Sequence, residues 1–596
     1  MVPPTLETRR ARRLLLASSL LLLACESPAV PEDARAADDV LGEDAAVVDA
    51  LRPDEGTDAF TRTTPPTCEP PRRRVVPACG TGTGPSGLVA SEPLLDDAAR
   101  LYDRGHVAIH AWGVGVSTEV RANDESARMR IDRFLRDGDG FDFEAFDGAP
   151  IDSLVSFQKV AGSYAGAGAA ADAFRYGTLR DEGADCDELA AARTQLHAAL
   201  DAMHRAATIT GVRGVIARGY QRRDRPGFTQ TTTPLFDAMG HPLPAEKTNG
   251  TWRDDQSGLY PEYAWEDSAS RDMLIGWVLG MAAAWEVSEG DDTIDATRLA
   301  TLRDDASAIA HMLAIVSPEG HDLEIHDADG RITYNGYLHE SAIDRVYVPR
   351  FHENGQHAIM ALGIVAALSR ISGDAEIADW LHNDLVRARD LPGIAGDDVG
   401  FVDTGVSSNY SNYNMAFTGG WLATRYLCDD DARERVRGGV IGALYGAPGE
   451  AWQPAEQGQS FYDLVAIAAR ARGDVLHDLE AAEVDAAGLD RALASLRGFP
   501  APYWAEGHVN CDAAELASRA CIGLDGTTLP LSMDLGRGDI AVSTVAVPFA
   551  IRPPSNFHWR SNPYAVNGEG DPLALYPAVD FRLAYWMARY LRVAPA

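Results

Sequence analysis

The stretch ELAAARTQLHAALDAMHRAA, residues 188–207, indicates the fold class of the chain. Its apolar side chains recur on one face of a helix, whereas Glu188, Arg193 and Asp201 fall off that face. A similar periodicity returns at 274–282, 362–371, 410–427, 461–471 and 573–591. The sequence predicts about a dozen helices, mostly joined by short polar or glycine-containing turns.

Strand-like sequence is scarce by comparison. Residues 323–326 and 331–334 flank the turn DADG, a pattern that predicts a β-hairpin. A second short strand pair is predicted between Ile540 and Ile551. The stretch from Arg218 to Trp265 has no periodicity, and its aromatic content argues against disorder. We therefore expect a long loop, residues 219–265, over one end of the helical body.

A dozen antiparallel helices with few strands have few packing solutions. One is an (α/α)6 toroid, a closed ring of six helical hairpins with a funnel at one end. An open solenoid of hairpins is the alternative, but the sequence has no repeat of fixed period to support it. The sequence therefore predicts a mainly α fold over residues 91–596, an (α/α)6 toroid of helical hairpins with minor β-hairpins.

The overall charge excludes two classes of partner. The chain has 596 residues and a formal net charge of −35, which opposes binding to nucleic acid and to anionic membrane surfaces. Its hydrophobic content of 46% is ordinary for a globular protein. Outside the N-terminal region, the sequence has no apolar run of the roughly 18 residues that would span a bilayer.

The N-terminus has the pattern of an export signal. Four arginines within residues 9–13 precede a short apolar core, residues 14–23. The next residues complete the run LLAC, which ends at Cys25 and resembles the lipobox of bacterial lipoproteins. The resemblance implies a signal peptide over residues 1–24, lipidation of Cys25 and a membrane partner held through the lipid.

Two further features concern export. The pair Arg12-Arg13 fits a twin-arginine signal or a plain basic head, so the export route stays open. Residue 26 is Glu, whereas an Asp at this position of lipoproteins is often associated with inner-membrane retention. The resemblance therefore implies a protein of the outer membrane or cell surface of a two-membrane bacterium.

Residues 25–90 are acidic and rich in Pro, Ala and Thr, which predicts a disordered tether. The chain has 7 cysteines, and six remain when Cys25 is set aside, an even set for disulfides in an oxidising compartment. Because loop-closure entropy favours partners close in sequence, we predict two local disulfides and a third from the remaining pair. The predicted pairs are Cys68–Cys79, Cys511–Cys521 and Cys186–Cys428.

The segment DSASRDM, residues 267–273, opens a predicted helix, where its acidic residues either cap the helix or line the funnel. It resembles a segment of six-hairpin, glycosidase-like toroid proteins of bacteria. The segments DGRITYNG (329–336) and FHWRSNPY (557–564), with residues 580–590, are similar to parts of the same kind of protein. The likeness runs from about residue 94 to the C-terminus. It implies the fold and assigns no catalytic residue.

A glycosidase of this fold needs two carboxylates that flank the glycosidic bond. The candidates are Asp267, Asp272, Glu353 and Asp463. Aromatic residues would stack on sugar rings, although core packing is the commoner fate of tryptophan. The aromatic candidates are Trp265, Tyr337, Trp504 and Trp559.

A polysaccharide lyase-like toroid is an alternative, with a His or Tyr base and an Asn or Arg that neutralises a uronate. The residues that fit these roles are Arg350, His352, Asn354, Tyr410, Asn412, Tyr413 and Asn414. The run 408–414 also fits the entry loop of a helix. Asn414 is the residue of this run that we include among the substrate-binding candidates.

Metal motifs are weak. The run HENGQH (352–357) is not a zincin motif, because histidines five residues apart point to different sides of a helix. His106 and His110 share a helix face but have no evident third ligand. An acidic run places Asp137, Asp139 and Asp142 together, as in a calcium loop or a solvated acidic turn. The sequence predicts no other cofactor.

Together these patterns lead to one main hypothesis about function. It is a membrane-anchored, exported lipoprotein whose toroid binds or cleaves glycans through an acid/base pair of carboxylates. Two alternatives stay open: a non-catalytic surface lipoprotein that binds a ligand or protein partner, and a polysaccharide lyase-like toroid.

Overall fold

The computed structural model describes residues 61–68, 76–82, 92–348, 353–399, 405–446, 452–470 and 486–592. The compact unit begins at Arg62. The predicted mainly α character is confirmed. The helices of the described part are α1 Pro93–Gly105, α2 Glu125–Asp137, α3 Phe143–Asp147, α4 Gly162–Glu182, α5 Cys186–Thr208, α6 Arg271–Ser288, α7 Ala296–Leu313, α8 Gly355–Ser372, α9 Ala375–Asp379, α10 Leu391–Asp398, α11 Tyr410–Tyr426, α12 Asp430–Gly438, α13 Ser460–Arg470, α14 Ala486–Arg497, α15 Ala513–Ser518 and α16 Val579–Tyr590.

Six of these helices contact one another in a closed cycle. Helix α4 contacts α6, and the contacts continue from α6 to α8, α11, α13 and α16 and return to α4. Five of the six are followed in the chain by a helix that contacts them; we call these five helices, α5, α7, α9, α12 and α14, the outer helices. The sixth, α16, contacts α1, the first helix of the described part. We call α4, α6, α8, α11, α13 and α16 the central helices.

The central helices are buried on nearly all sides. In α4, 19 of the 21 residues are buried, and many of them are Ala or Gly. Small side chains let backbones approach closely: a Cβ on Gly276 of α6 would lie 2.5 Å from the carbonyl oxygen of Gly162 of α4. Gly363 of α8 and Gly419 of α11 meet in the same way. These glycines are therefore required by packing between central helices.

The central helices α6, α8 and α11 run parallel, and α6 also contacts α11 directly. His357 in the first turn of α8 lies 3.0 Å from the guanidinium of Arg271, the first residue of α6. At the other end, Arg425 of α11 donates a 3.0 Å hydrogen bond from Nε to Glu286 of α6. The first turns of these helices therefore share one end of the body, which we call the N-terminal end.

The strands are short. They are β1 Val120–Ala122, β2 Val155–Phe157, β3 Val160–Ala161, β4 Gly219–Arg222, β5 Trp252–Asp254, β6 Tyr263–Glu266, β7 Glu324–His326, β8 Ile332–Tyr337, β9 Ala342–Ile343, β10 Val346–Tyr347, β11 Trp504–Ala505, β12 His508–Val509, β13 Ala520–Ile522, β14 Thr528–Pro530, β15 Asn567–Gly568 and β16 Asp571–Leu575. Two antiparallel sheets have four strands each, in the orders β11-β16-β1-β2 and β3-β4-β6-β5. Since β3 leads directly into α4 and β6 lies just before α6, the second sheet is at the N-terminal end of these helices.

Several local predictions need correction. The β7–β8 hairpin is confirmed, but the supposed loop 219–265 contains β4, β5 and most of β6. The strand pair predicted between Ile540 and Ile551 is wrong, since the described residues there form only isolated bridges to Leu531 and Ala565. The helix predicted over 573–591 begins only at Val579, because β16 occupies the preceding segment.

The disulfides also differ from the prediction. Cys511–Cys521 is confirmed, but Cys68 pairs with Cys428 and Cys79 pairs with Cys186. Both N-terminal cysteines therefore bind the helical body, at the start of α5 and just after α11. The folding of these segments onto the helical body, rather than closeness in sequence, therefore determines which of these cysteines form disulfides.

The same segments correct the predicted tether. Thr63 donates its backbone N–H to the side chain of Asn383 at 2.9 Å, and Gly80 donates its N–H to the carbonyl of Ala184 at 2.8 Å. Residues 62–68 and 76–82 are therefore ordered on the body, and the prediction of disorder there is wrong. Among the described residues, no helix is long and apolar enough to cross a membrane.

Candidate functional site

Glu119 lies at the N-terminal end of the central helices. It immediately precedes β1 and accepts hydrogen bonds from the hydroxyl of Tyr164, in the first turn of α4, and from the side-chain amide of Asn556. Burial raises the pKa of Glu119 above its usual value, although these hydrogen bonds oppose the shift. A carboxyl group in this environment holds its proton to a higher pH than an exposed one, as a general acid must.

Positive charges surround Glu119. Lys159, just before β3, and Arg560 both favour its ionised form and so limit the rise in its pKa. The pKa of Tyr164 is raised mainly by burial and, to a smaller extent, by the negative charge of Glu119. Tyr164 also experiences the negative charge of Glu266, which brings a second carboxylate into the same electrostatic neighbourhood.

Glu266 ends β6 and is held by two cations. The ammonium of Lys159 contacts its Oε2, and Nε of Arg218 lies 3.7 Å from the same oxygen. The Arg218 guanidinium also donates to the hydroxyl of Ser270 at 2.9 Å, and that hydroxyl donates to Asp272. A continuous chain of contacts therefore links Glu266 to Asp272 in the first turn of α6.

The chain enters α6 through a constrained backbone. Ser268 has a φ of 62°, in the left-handed region that non-glycine residues rarely adopt. Its N–H donates to Asp327 at 2.7 Å, and its hydroxyl accepts from the N–H of Tyr334 at 2.9 Å. Such conformations cluster at functional sites, where the surroundings hold them in place.

Asp267, predicted as catalytic, is instead fully occupied by buried partners. It is 1% exposed and accepts from Nη2 of Arg253 at 2.7 Å and from the N–H of Thr251 at 2.8 Å. The ammonium of Lys247 joins it to Asp327, whose pKa is raised by burial and by repulsion from Asp267. This buried ion cluster fixes β5 and the entry to α6.

The other two predicted carboxylates lie in different surroundings. Asp463 of α13 is buried and accepts from the hydroxyl of Tyr445 at 2.5 Å, with Nε of Arg491 on the outer helix α14 at 3.5 Å. Glu353 is exposed, two residues before α8. Of the four predicted carboxylates, Asp272 is therefore the one that the side-chain contacts through Ser270 and Arg218 connect to Glu266.

The predicted stacking residues are mostly part of the core. Trp265 is 0% exposed, and Trp559 is 1% exposed and stacks on Phe461 at 4.6 Å. Neither ring offers a face to a sugar, so the stacking prediction is wrong for both. Tyr337 is half-buried, with its ring 5.4 Å from that of Tyr347, and Trp504 lines a cavity.

The residues of the lyase alternative act as caps and core contacts. Asn354 caps α8 by accepting from the N–H of His357 at 3.1 Å, and Asn409 caps α11 in the run 408–414. The rings of Tyr410 and Tyr413 stack at 5.8 Å, and Asn414 is buried on α11. The carbonyl of Asn412 accepts from Gln356 at 3.4 Å. Arg350, His352 and Cys25 lie outside the described residues.

The candidate metal ligands also have other roles. Asp142 caps α3 through a 2.9 Å bond from the N–H of Ala145, and Asp137 ends α2. His106 is paired with Asp172, and His110 contacts the carbonyl of Thr118 at 2.7 Å. In the described ranges there is no group of three or more His, Cys, Asp or Glu residues that could hold a metal ion.

Two cavities lie outside this carboxylate network. One, of about 600 Å³, is lined by Arg175, Phe141 and Trp586. The other, of about 670 Å³, is lined by Trp504 and Arg552. Neither is lined by Glu119 or Asp272.

Sequence reasoning found Asp272 but missed Glu119, Tyr164 and Glu266. Glu119 stands alone between Thr118 and Val120, with no motif around it. The segment 557–564, which is similar to toroid proteins, contains Arg560 and directly follows Asn556. This segment was the one sequence feature that pointed to the surroundings of Glu119. Comparisons of the chain with family models, curated proteins and solved structures gave no match.

Proposed function

We propose that the chain is an exported lipoprotein, anchored through Cys25, and that its body is an (α/α)6 toroid. The basic head, apolar core and LLAC run support the anchor. The closed cycle of central helices, five of which are followed by an outer helix, supports the toroid. In this proposal the funnel is at the N-terminal end of the central helices, where Glu119 lies.

The proposed activity is hydrolysis of glycans at this end. The observation that carries it is the pKa of Glu119, raised by burial, beside the charge-stabilised carboxylate of Glu266. A carboxyl group whose pKa is raised by burial, near a carboxylate that is held by two cations, matches the pair that a glycosidase needs. Glu119 is the candidate proton donor to the glycosidic oxygen, and Glu266 is the candidate nucleophile or base. Asp272 orients Arg218 through Ser270.

The test is a polysaccharide-degradation screen with the full-length protein in detergent. We expect Glu119→Gln to lower kcat by about 100-fold or more on any glycan that the wild type cleaves, because glutamine cannot donate the proton. Glu144→Gln, at an exposed position of α3, is the matched control and should leave kcat unchanged.

The products separate the alternatives. Unsaturated product ends would identify a lyase, and glycan binding without cleavage would identify a binding protein. Full activity of Glu119→Gln would remove Glu119 from the mechanism, and a protein that neither binds nor cuts any glycan would end the carbohydrate hypothesis.

A further inference from the structure

The cavity of about 670 Å³ lies between α2 and the segments 500–508 and 549–558. Two side chains that line it, Arg552 and His558, are 3% and 1% exposed. A cavity of this size has the volume of an ordinary small-molecule site. We call it the Arg552 cavity.

Arg552 carries a buried positive charge without a negative partner. Its Nε and Nη2 donate to the carbonyls of Val547 and Gln457, at 3.2 and 2.9 Å. In the described part of the chain no carboxylate pairs with Arg552, and its Nη1 has no hydrogen-bond partner. Burial lowers the pKa of Arg552 to about 10, which still leaves the guanidinium charged at neutral pH.

His558 adds a second unsatisfied nitrogen. Its Nε2 contacts the hydroxyl of Tyr503, whereas its Nδ1 is buried without a partner among the described residues. Burial and the nearby charge of Arg552 lower the pKa of His558 well below its usual value, so the ring is neutral. The one proton of the Tyr503 hydroxyl has two acceptors, the carbonyl of Ser555 at 3.1 Å and Nε2 of His558. When it is donated to Nε2, the neutral ring carries its own proton on Nδ1 and can donate it.

The rim of the cavity carries four carboxylates and three arginines, whereas the floor carries the positive charge of Arg552. At the rim, Arg128 pairs with Glu506, and Asp132 accepts from Arg136 at 2.8 Å. Exposed acidic residues on α2 also line the rim, so the positive charge that lacks compensation is on the floor, at Arg552. Trp504 and Phe549 add aromatic surface.

An unpaired buried charge costs several kcal/mol in general, and an oxyanion is the partner that a guanidinium accommodates best. We propose that the Arg552 cavity binds a small ligand with one carboxylate or phosphate group, recognised by Arg552 and His558, and with a ring that packs against the aromatic wall. This site is separate from Glu119 and does not depend on the proposed hydrolysis.

The test measures thermal unfolding and Kd of the full-length protein with three probes: glucuronate, glucose 6-phosphate and neutral glucose. We expect an anionic probe to raise Tm, with an effect that weakens at high salt, and glucose to leave Tm unchanged. A shift with glucuronate alone identifies the carboxylate as the recognised group, and a shift with glucose 6-phosphate alone identifies the phosphate. Absence of a shift with both at millimolar concentration, or an equal shift with glucose, would overturn the proposal.

Two variants test the role of Arg552. Arg552→Met should weaken anion binding by about tenfold or more without lowering the Tm of the ligand-free protein, because the relief of a buried charge that no carboxylate balances offsets the loss of its hydrogen bonds to two carbonyls. Arg537→Met, at an exposed position, is the control and should bind as the wild type does. If Arg552→Met fails to fold, Arg552→Lys keeps the charge but loses the forked geometry and should bind more weakly. Unchanged affinity in the variant that folds would contradict the proposal.

Discussion

We expect Arg582→Met to lower the free energy of unfolding by about 5 kcal/mol, enough to unfold a protein of ordinary stability. Arg582 of α16 is 0% exposed and donates to Asp103 of α1 at 2.8 Å and to Asp172 of α4 at 2.7 Å. Removing the guanidinium deprives two buried carboxylates of a shared partner. Removing one partner of a buried ion pair costs about 3–5 kcal/mol in general, and Arg582 is paired with two buried carboxylates.

The other contacts of the network keep Asp172 and Asp103 buried, and they keep Asp172 ionised. Burial would raise the pKa of Asp172, but His106 and Arg582 reverse this effect and hold its pKa below the usual range. Gln195 donates to the same carboxylate at 3.0 Å, and Trp586 donates to Asp103 at 3.1 Å. The network joins the last central helix to the first, so its loss would weaken the contact that closes the cycle.

Chemical denaturation at neutral pH measures the effect. Arg298→Met is the matched control, because Arg298 pairs with Asp201 at the exposed surface and such pairs contribute at most about 1 kcal/mol. Asp172→Asn added to Arg582→Met should restore part of the stability, since it removes one buried negative charge that has lost its arginine. An Arg582→Met protein within about 1 kcal/mol of the wild type would show that the network does not hold the cycle closed.

Among the central helices, α4 is the one that the sequence did not predict, because the periodic stretches 274–282, 362–371, 410–427, 461–471 and 573–591 overlap the other five. Helix α5 buries Leu196, Leu200 and Met203 and keeps Asp201 outside, so its one-sided pattern is visible in the sequence. Helix α4 is buried on all sides and has no polar face, so its Gly- and Ala-rich sequence carries no amphipathic period. A helix of this kind is defined by its neighbours, which a single sequence does not display.

The residues of the candidate site also differ in whether the sequence reveals them. Asp272 could be found because it lies in the first turn of a helix with a recognisable start. Glu119 acquires its properties from Tyr164 and from Asn556, which is 437 residues away in the chain. The disulfides failed for the same reason: Cys68 and Cys428 are 360 residues apart, and local loop closure favours nearer partners.

The second large effect concerns Asp580, in the first turn of α16. The carboxylate is 0% exposed and accepts from the backbone N–H groups of His558 and Phe581, at 2.8 and 3.2 Å. Burial raises the pKa of Asp580 from 3.8 to about 7, because these neutral donors only partly replace water. Between these two values the folded protein binds more protons at this group than the unfolded chain does.

The stability contributed by Asp580 is therefore fully present below about pH 4 and is lost as the pH rises to about 7, by about 4 kcal/mol at most. We expect Asp580→Asn to remove this loss, since the amide stays neutral and its one oxygen, in the place of Oδ2, can still accept from the N–H of His558. The stability of the variant relative to the wild type should rise from pH 4 to pH 7 and then level off. Denaturant unfolding across this range measures it, with Asp292→Asn at an exposed position as the control. A constant difference between the variant and the wild type would mean that Asp580 ionises in the folded protein as it does in water.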